Sequence, residues 1–175
     1  MSYPAGIREN GGQYTHSVSW YLMALIQTGN YEKAYEYYQM INPINRTQKE
    51  ESVEKYKVEP YVIAADIYSS ENFAGRGGWT WYTGSAGWFY SVGVQNILGI
   101  KKQGNKIKIE PSIPMKWKGY KAIYQYLDTP YNIKVVRGNE IYQELDGKRT
   151  TSKAITLKND GKEHEITISI MKEKE

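Results

Sequence analysis

The sequence predicts an α+β fold in which helices precede strands along the chain. Apolar residues recur at helical spacing up to about residue 100, and from Lys101 onward they alternate with polar residues at the period of two that β-strands show. A chain of 175 residues with 40% hydrophobic and 24% charged residues has a globular composition and can bury a core. We therefore expect a helical domain over residues 1–100 and a β domain over residues 101–175.

The helical part opens with two regular patterns. Residues 18–26 place apolar side chains on one helical face and stop at Gly29-Asn30, and residues 31–41 repeat the pattern up to Asn42-Pro43. The short connection predicts a helical hairpin. A short apolar helix is expected over residues 60–66, with proline in its first turn. A last helix is expected to carry its apolar face at Ala86, Phe89, Tyr90, Gly93, Val94 and Ile97.

The β part consists of short alternating segments. Six or seven antiparallel strands forming a small β-sandwich are predicted from the pairs Ile107/Ile109, Ile133/Val135 and Ile155/Leu157 and from Ile166/Ile168/Ile170. Turn signals fall at Gln103-Gly104-Asn105, Arg137-Gly138-Asn139, Asp146-Gly147 and Asn159-Asp160-Gly161. Pro111 and Pro114 lie between the first strand and Trp117, so we expect this piece to be an edge strand or a crossover and not a central strand.

Composition excludes several classes of function. The chain has no cysteine and two histidines, His16 and His164, which excludes disulfides, thiolate zinc sites and a histidine-based metal site, so a metal would need carboxylates. We expect no metal site and no cofactor. No apolar run is long enough to cross a membrane, and no signal peptide is visible at Met1, so a cytoplasmic location is the default expectation. The net charge is +4, but lysines in residues 101–175 alternate with apolar residues, which favours a solvated strand face over nucleic-acid binding.

The aromatic residues are unusual, since the chain has 17 Tyr and 5 Trp against 2 Phe. Rings with a polar edge can stack on the apolar face of a sugar and hydrogen-bond to its hydroxyls. The same enrichment occurs at protein interfaces. Composition alone leaves both interpretations open.

The first candidate site is the glycine-containing loop over residues 4–16, directly before an apolar helix. Arg8 offers a planar fork of donors, Glu9 offers two acceptors for sugar hydroxyls, and His16 stands near a helix start, where anions are favoured. The alternative is a structural loop with a surface Arg8–Glu9 pair, a packed histidine and a helix N-cap at Thr15 or Ser17.

The second candidate site lies in residues 75–88, where indoles, hydroxyls and glycines precede another helix start. Backbone N–H groups around Thr83, Gly84 and Ser85 can hold an anion there. The segment lacks the lysine of a phosphate-binding P-loop, and no strand precedes it as in a dinucleotide fold. The alternative is a glycine-rich turn packed against tryptophans. A third feature, Glu59 ahead of Pro60, is more typical of a surface acid than of a catalyst.

The order of these motifs along the chain and their amino-acid sequences resemble those of a known enzyme family. Residues 4–16, 58–62 and 75–88, followed by Ile97-Leu98-Gly99-Ile100, are similar to the C-terminal part of the inverting glycoside phosphorylases of glycoside hydrolase family 94. This family includes cellobiose and chitobiose phosphorylases. The sequences of the motifs most resemble those of members acting on β-1,2-glucans, including the phosphorylase-like end of cyclic β-1,2-glucan synthases. The resemblance spans about residues 3–135.

The resemblance implies a fold and a reaction. The fold is the C-terminal portion of an (α/α)6 barrel followed by a β domain. The reaction is reversible phosphorolysis of β-linked gluco-oligosaccharides, in which inorganic phosphate as co-substrate attacks the anomeric carbon with inversion and gives an α-sugar 1-phosphate. By similarity, Arg8 and Glu9 contact the sugar, and His16, Thr83 and Gly84 bind the phosphate.

The family's general acid lies upstream of the first motif, in a segment that this chain does not contain. Neither Asp66 nor Asp128 sits in a matching motif, so the resemblance assigns no catalytic residue within these 175 residues. The expected partners are an oligosaccharide, phosphate and the upstream part of the same enzyme, and the isolated chain is expected to self-associate. The alternative is a non-catalytic carbohydrate-binding or structural module.

Overall fold

The computed structural model describes residues 3–172 as two compact units that divide between Gly93 and Val94. The first unit contains the helices, and in chain order its elements are β1 Gln13–Tyr14, α1 Thr15–Gln27, α2 Tyr31–Ile41, α3 Pro43–Arg46, α4 Glu50–Tyr56, β2 Asp66–Ile67 and α5 Thr83–Ser91. A π-helix over Val92–Ile97 follows α5 and includes the boundary between the units. Among residues 3–172, no helix combines the length and the apolar character that a membrane span requires.

The two predicted helices of the hairpin are confirmed. Leu22, Leu25 and Ile26 of α1 are buried, and Ala34 of α2 is buried as well. The two helices pack along their length, with the ring of Tyr21 stacked 5.9 Å from that of Tyr37. The turn between them works because Gly29 adopts a φ of +81°, a conformation that glycine reaches without steric cost. These elements follow from local pattern and local chain breakers alone.

The polar stretch after α2 contains two helices that hydrophobic spacing did not predict. The side chain of Asn42 caps α3, accepting a hydrogen bond of 3.1 Å from the amide of Ile44. Helix α4 carries Glu50 and Glu51 in its first turn and Lys55 in its last, so charges of the favourable sign stand at both ends. Caps and end charges are therefore the signals that define these two helices.

The prediction of a helix over residues 60–66 is wrong. The four successive residues 62–65 are all buried, and their backbone bonds run to distant parts of the chain instead of along a helix. The amide of Thr15 donates to the Ala65 carbonyl over 2.9 Å, and the Ala65 amide donates to the Trp79 carbonyl over 2.6 Å. The segment then enters β2, which pairs antiparallel with β1. The sequence predicted only helices before residue 100. This part of the chain also contains the strands β1 and β2.

The last predicted helix exists, but only part of its predicted apolar face is buried. Ser85, Val92 and Ile97 are buried, whereas Tyr90 is 67% exposed. The helix changes from α to π geometry at Val92. In a π-helix each amide bonds to the carbonyl five residues before it, whereas in an α-helix it bonds to the carbonyl four residues before it. From Val92 onward, the spacing of 3.6 residues therefore no longer predicts which side chains share a face.

The second unit consists of two sheets. Its strands are β3 Ile100–Gln103, β4 Lys106–Ile109, β5 Gly119–Tyr126, β6 Thr129–Gly138, β7 Tyr142–Leu145, β8 Lys148–Arg149, β9 Ile155–Thr156 and β10 His164–Met171. One sheet has the order β5-β6-β10-β7-β8 and the other the order β3-β4-β9. The predicted inward positions are confirmed, since Ile107, Ile133 and Ile166 are each at most 1% exposed. The chain is therefore α+β with β-rich residues at its C-terminal end.

Two details of the strand prediction are wrong. Strands β6 and β10 pair in parallel, because the chain passes through β7, β8 and β9 before it returns beside β6. Asp146-Gly147 and Gln103-Gly104-Asn105 do form hairpin turns, whereas the turn signals at 137–139 and 159–161 join strands that do not pair with each other. The hairpin between β5 and β6 turns at Leu127, with a φ of +52°, where no glycine signals it.

A single arginine fixes the proline-containing crossover in this unit. The guanidinium of Arg137, on β6, donates to the carbonyls of Trp117 over 2.9 Å, Ile113 over 3.1 Å and Pro114 over 3.3 Å, and to that of Met171 over 3.2 Å. The crossover, residues 110–118, contains no strand, which confirms the prediction made from Pro111 and Pro114. Its carbonyls are therefore satisfied by a side chain instead of a sheet.

We expect Arg137→Lys to destabilise the chain by about 2–4 kcal/mol, because an ammonium group cannot replace a planar fork and leaves part-buried carbonyls unpaired. Urea unfolding followed by circular dichroism measures the effect. The matched control is Arg149→Lys, which changes an exposed ion pair with Glu140 and is expected to leave the unfolding midpoint nearly unchanged. Equal midpoints for the two variants would contradict the anchoring role of Arg137.

Candidate functional site

The start of α1 is fixed by contacts with the buried segment before β2. The Thr15 hydroxyl donates to the Ala64 carbonyl over 2.7 Å, and the Thr15 side chain is buried. The residue at the N-cap position is Tyr14, and no side chain caps the helix. The alternative of an N-cap at Thr15 or Ser17 is therefore wrong, and His16 lies in the first turn of α1.

The start of α5, like that of α1, has no side-chain cap. Thr83 and Gly84 are exposed, Tyr82 occupies the N-cap position without a side-chain cap, and the first turn carries no acidic residue. The Ser85 hydroxyl is buried and has no hydrogen-bond partner within the described residues. Because a helix start has unpaired amide donors and a partial positive charge, this first turn is suited to an anion.

The structure brings His16 to the start of α5. A Cβ atom placed on Gly84 lies 3.9 Å from His16 Cε1, so the imidazole is in contact distance of the glycine. Aromatic rings hold the imidazole there: its centroid lies 4.9 Å from Trp20, 5.9 Å from Trp88 and 6.2 Å from Tyr14. Two of the three residues assigned to phosphate by resemblance thus meet, and Thr83 adjoins them in the same turn.

The loop before α1 presents Arg8 in a constrained conformation. Arg8 has a φ of +46°, which is unusual for a residue with a side chain. Its amide donates to Oδ2 of Asp66 over 3.2 Å, and Asp66 is 1% exposed. The loop is also close-packed, since a Cβ on Gly12 would come within 2.6 Å of the Arg8 nitrogen. Asp66 therefore supports the backbone that positions Arg8.

Three rings surround the guanidinium of Arg8. Its central carbon lies 5.0 Å from the ring centre of Tyr3, 5.3 Å from that of Trp79 and 5.9 Å from that of Tyr82. Nη1 also donates to the Tyr3 hydroxyl over 3.0 Å. Cation–π contacts of this kind hold a cation in place without neutralising it. The positive charge of Arg8 is therefore positioned and remains able to bind a polar ligand.

Tyr14 connects the Arg8 region with the His16 region. Its hydroxyl is 2.8 Å from that of Tyr82, and this hydrogen bond, together with burial, raises the pKa of Tyr14 to about 12. The negative charge of Glu9 raises the pKa of Tyr14 further, whereas Arg8 lowers it. Since Tyr14 stays neutral near pH 7, Arg8 and Glu9 supply the charges here. Contacts through Tyr82 and Tyr14 therefore connect Arg8 with His16, and His16 in turn contacts the start of α5.

Part of this site was missed from the sequence. The ring contacts of Tyr3 and Tyr82 with Arg8 and the support from Asp66 join residues far apart in the chain, and no local motif signals them. The exposed rings of Trp79, Trp81 and Tyr61 border the same region. Within residues 3–172, no group of three or more His, Asp or Glu side chains is placed to hold a metal ion.

The first unit therefore presents a helix start without a side-chain cap and an arginine held among Tyr and Trp rings. Residues 1–99 match the model of the glycosyl hydrolase 94 superfamily, catalytic domain. The chain belongs to this family, which confirms the resemblance of its motifs.

Individual proteins that are similar to this chain are named as a glucan synthase and as phosphorylases. The chain is 48% identical over 139 residues to the cyclic beta-(1,2)-glucan synthase NdvB of Rhizobium meliloti, a match that covers 79% of this chain and 5% of that protein. It is 26% identical to the N,N'-diacetylchitobiose phosphorylase of Vibrio furnissii over 93% of this chain and 20% of that protein. It is 27% identical to the solabiose phosphorylase of Paenibacillus borealis over 94% of this chain and 22% of that protein. The chain thus spans between 5% and 22% of the length of these relatives.

Proposed function

We propose that the chain supplies the phosphate site and part of the sugar site of an inverting glycoside phosphorylase. The enzyme would cleave β-linked gluco-oligosaccharides with inorganic phosphate, reversibly, and give an α-sugar 1-phosphate. Relatives named as phosphorylases and as a glucan synthase support this assignment. We also propose that the helices of the first unit are the C-terminal portion of an (α/α)6 barrel that the rest of a longer polypeptide completes.

The contact between His16 and Gly84 carries the proposal. It brings the imidazole of His16 next to the first turn of α5, which also carries Thr83 and amide groups without helical partners. Each of these groups can donate a hydrogen bond to a phosphate oxygen, and the partial positive charge of the helix start adds to their effect. A phosphate held this way is oriented as a nucleophile.

The sugar role falls to Arg8 and Glu9. The rings around Arg8 hold its fork of donors in place, and Glu9 is exposed and offers two acceptor oxygens. A carboxylate can accept hydrogen bonds from two neighbouring hydroxyls of a pyranose, which fixes the orientation of the ring. Arg8 is connected with His16 through Tyr82 and Tyr14, which supports the proposal that sugar and phosphate bind side by side.

Besides the groups that bind phosphate and sugar, the proposed reaction requires one acid that donates a proton. A phosphate oxygen forms a bond to the anomeric carbon while the bond from that carbon to the glycosidic oxygen breaks, and the leaving oxygen takes a proton from the acid. No base is required because phosphate is already anionic. We place the acid upstream of residue 4. Asp66 is not assigned to this role because it is buried and holds the Arg8 amide.

The variant His16→Asn, in the full-length polypeptide that carries this chain, tests the phosphate role. Losing one donor to a charged acceptor costs about 1–3 kcal/mol, so we expect the KM for phosphate to rise about 10-fold or more while the KM for the oligosaccharide changes much less. Initial rates of sugar 1-phosphate release at varied phosphate and varied sugar give both constants.

The matched control is His164→Asn, which removes the other histidine, on β10 of the second unit, where it bonds Asp146 over 2.8 Å. We expect this variant to leave both constants unchanged. Equal increases in both constants for His16→Asn would place His16 outside the phosphate site. If the unaltered full-length polypeptide released no sugar 1-phosphate from β-linked glucobioses, the proposed function itself would be wrong.

A further inference from the structure

Two exposed rings stand beside the site without being part of it. Trp81 is 65% exposed and Tyr61 is 74% exposed, and their ring centres lie 6.2 Å apart in an edge-to-face arrangement. Tyr61 precedes the buried segment 62–65, and Trp81 lies two residues before the start of α5. Segments from two different parts of the chain therefore place both rings at one position on the surface.

The backbone holds Trp81 in an unusual conformation. Its φ is +59°, in the left-handed region that bulky residues rarely occupy. The backbone nearby is held by other contacts, because the carbonyl of Trp79, two residues earlier, accepts from the Ala65 amide, and the hydroxyl of Tyr82, the next residue, is bonded to that of Tyr14. Trp81 thus presents an exposed indole from a segment that is anchored at Trp79 and at Tyr82.

The Tyr61–Trp81 pair is linked through the chain to the rings around Arg8. Trp79 and Tyr82 pack 5.6 Å apart next to Arg8, and Trp81 lies between them in the chain, with its Cα about 3.8 Å from that of Tyr82. The segment that carries Trp81 therefore also carries the two rings that contact the guanidinium.

We propose that Tyr61 and Trp81 form a platform for a glucose unit beyond the two units that flank the cleaved bond, so that the site favours oligosaccharides over disaccharides. This inference rests on the function proposed above. An indole and a phenol each present an apolar face to the C–H face of a pyranose and a polar edge to its hydroxyls. The occupant is a neutral, β-linked glucan chain, the substrate of the function proposed above, because the segment that carries Trp81 also carries Trp79 and Tyr82 at Arg8.

The test uses the full-length polypeptide and a series of β-1,2-linked glucobiose, glucotriose and glucotetraose. For Trp81→Ala and Tyr61→Ala, we expect kcat/KM for the triose and tetraose to fall about 10-fold, and kcat/KM for the biose to stay within about 2-fold of the original value. Trp81→Tyr keeps a ring with a polar edge and should restore most of the preference. Tyr90→Ala, which removes a ring that is 67% exposed on α5, is the matched control and should change neither ratio.

The outcomes separate the platform from the proposed function. Release of sugar 1-phosphate from all three substrates with a triose-to-biose ratio that Trp81→Ala leaves unchanged would overturn the platform alone. An equal loss on all three substrates would also overturn it, since that result indicates that the rings pack against the rest of the polypeptide. No sugar 1-phosphate from any substrate with the unaltered enzyme would overturn the proposed function and the platform together.

Discussion

Purified residues 1–175 are expected to form no sugar 1-phosphate from β-linked glucobioses and phosphate, and no disaccharide in the reverse direction. The proposed acid lies outside these residues, and proton donation alone contributes about 10²–10⁴ in rate. The matched parts of the relatives amount to 5–22% of their length, so most of the proposed barrel would be supplied by other residues. The phosphate and sugar residues cannot replace what is missing.

The same polypeptide is expected to self-associate. Within the first unit, α1 and α2 contribute to a pocket of about 500 Å³ with a largely apolar lining, and the exposed side chains include Met40, Ile44 and Val53. Exposed apolar surface of this kind favours association. Light scattering and binding of a hydrophobic dye measure it, with the full-length polypeptide as control. Product formed by residues 1–175 alone would contradict this account and would direct the search for an acid to Glu59 and Asp66.

Glu9→Gln is expected to lower kcat and kcat/KM of the full-length enzyme together, by about 10²-fold. The substitution keeps the shape of the side chain and removes its charge, so two charged hydrogen bonds to sugar hydroxyls weaken, and about 3 kcal/mol corresponds to this factor. Both constants fall together only if the bonds strengthen in the transition state. Steady-state kinetics with a glucobiose at saturating phosphate measure both.

The control for this prediction is Glu51→Gln, the same change at an exposed acid in the first turn of α4. It should leave both kinetic constants unchanged. An unaltered kcat with a higher KM for the sugar in Glu9→Gln would show that Glu9 binds the substrate equally in the ground state and the transition state. That result would contradict an orienting role for Glu9.

The elements that the sequence predicts well are those whose signals are local. Helices α1 and α2 have a regular apolar face and end at Gly29-Asn30 and at Asn42-Pro43, and the structure confirms both. Six alternating residues of β4, β6 and β10 are likewise buried as expected: Ile107, Ile109, Ile133, Val135, Ile166 and Ile168. Ile170, at the end of β10, is only partly buried. In each case the side-chain period and the chain breakers point to the same element, so no distant contact is needed to define it.

The elements that the sequence predicts wrongly are those decided by distant contacts. Residues 62–65 look helical, but the amide of Thr15 and the carbonyl of Trp79 satisfy the backbone of Ala65. The parallel pairing of β6 with β10 depends on the path of three intervening strands. The π-helix after Ser91 shifts the buried face in a way that a fixed period cannot express.

The candidate site shows the same division. The residue types at Arg8, Glu9, His16 and Gly84 could be singled out from loop composition and helix starts, because anion and sugar binding need those groups. Their grouping could not be worked out from local pattern, since the contact between His16 and Gly84 joins two separate helices. The support of Arg8 by Asp66 is equally invisible in the sequence, because it connects an amide to a side chain 58 residues away.

The most direct test of the central claim is a crystal structure of the full-length polypeptide with bound phosphate. We predict phosphate density between the imidazole of His16 and the first turn of α5, with oxygens about 2.7–3.2 Å from a His16 ring nitrogen and from the Gly84 amide. Phosphate bound elsewhere in the active site, with this position filled by water or by side chains, would contradict the claim.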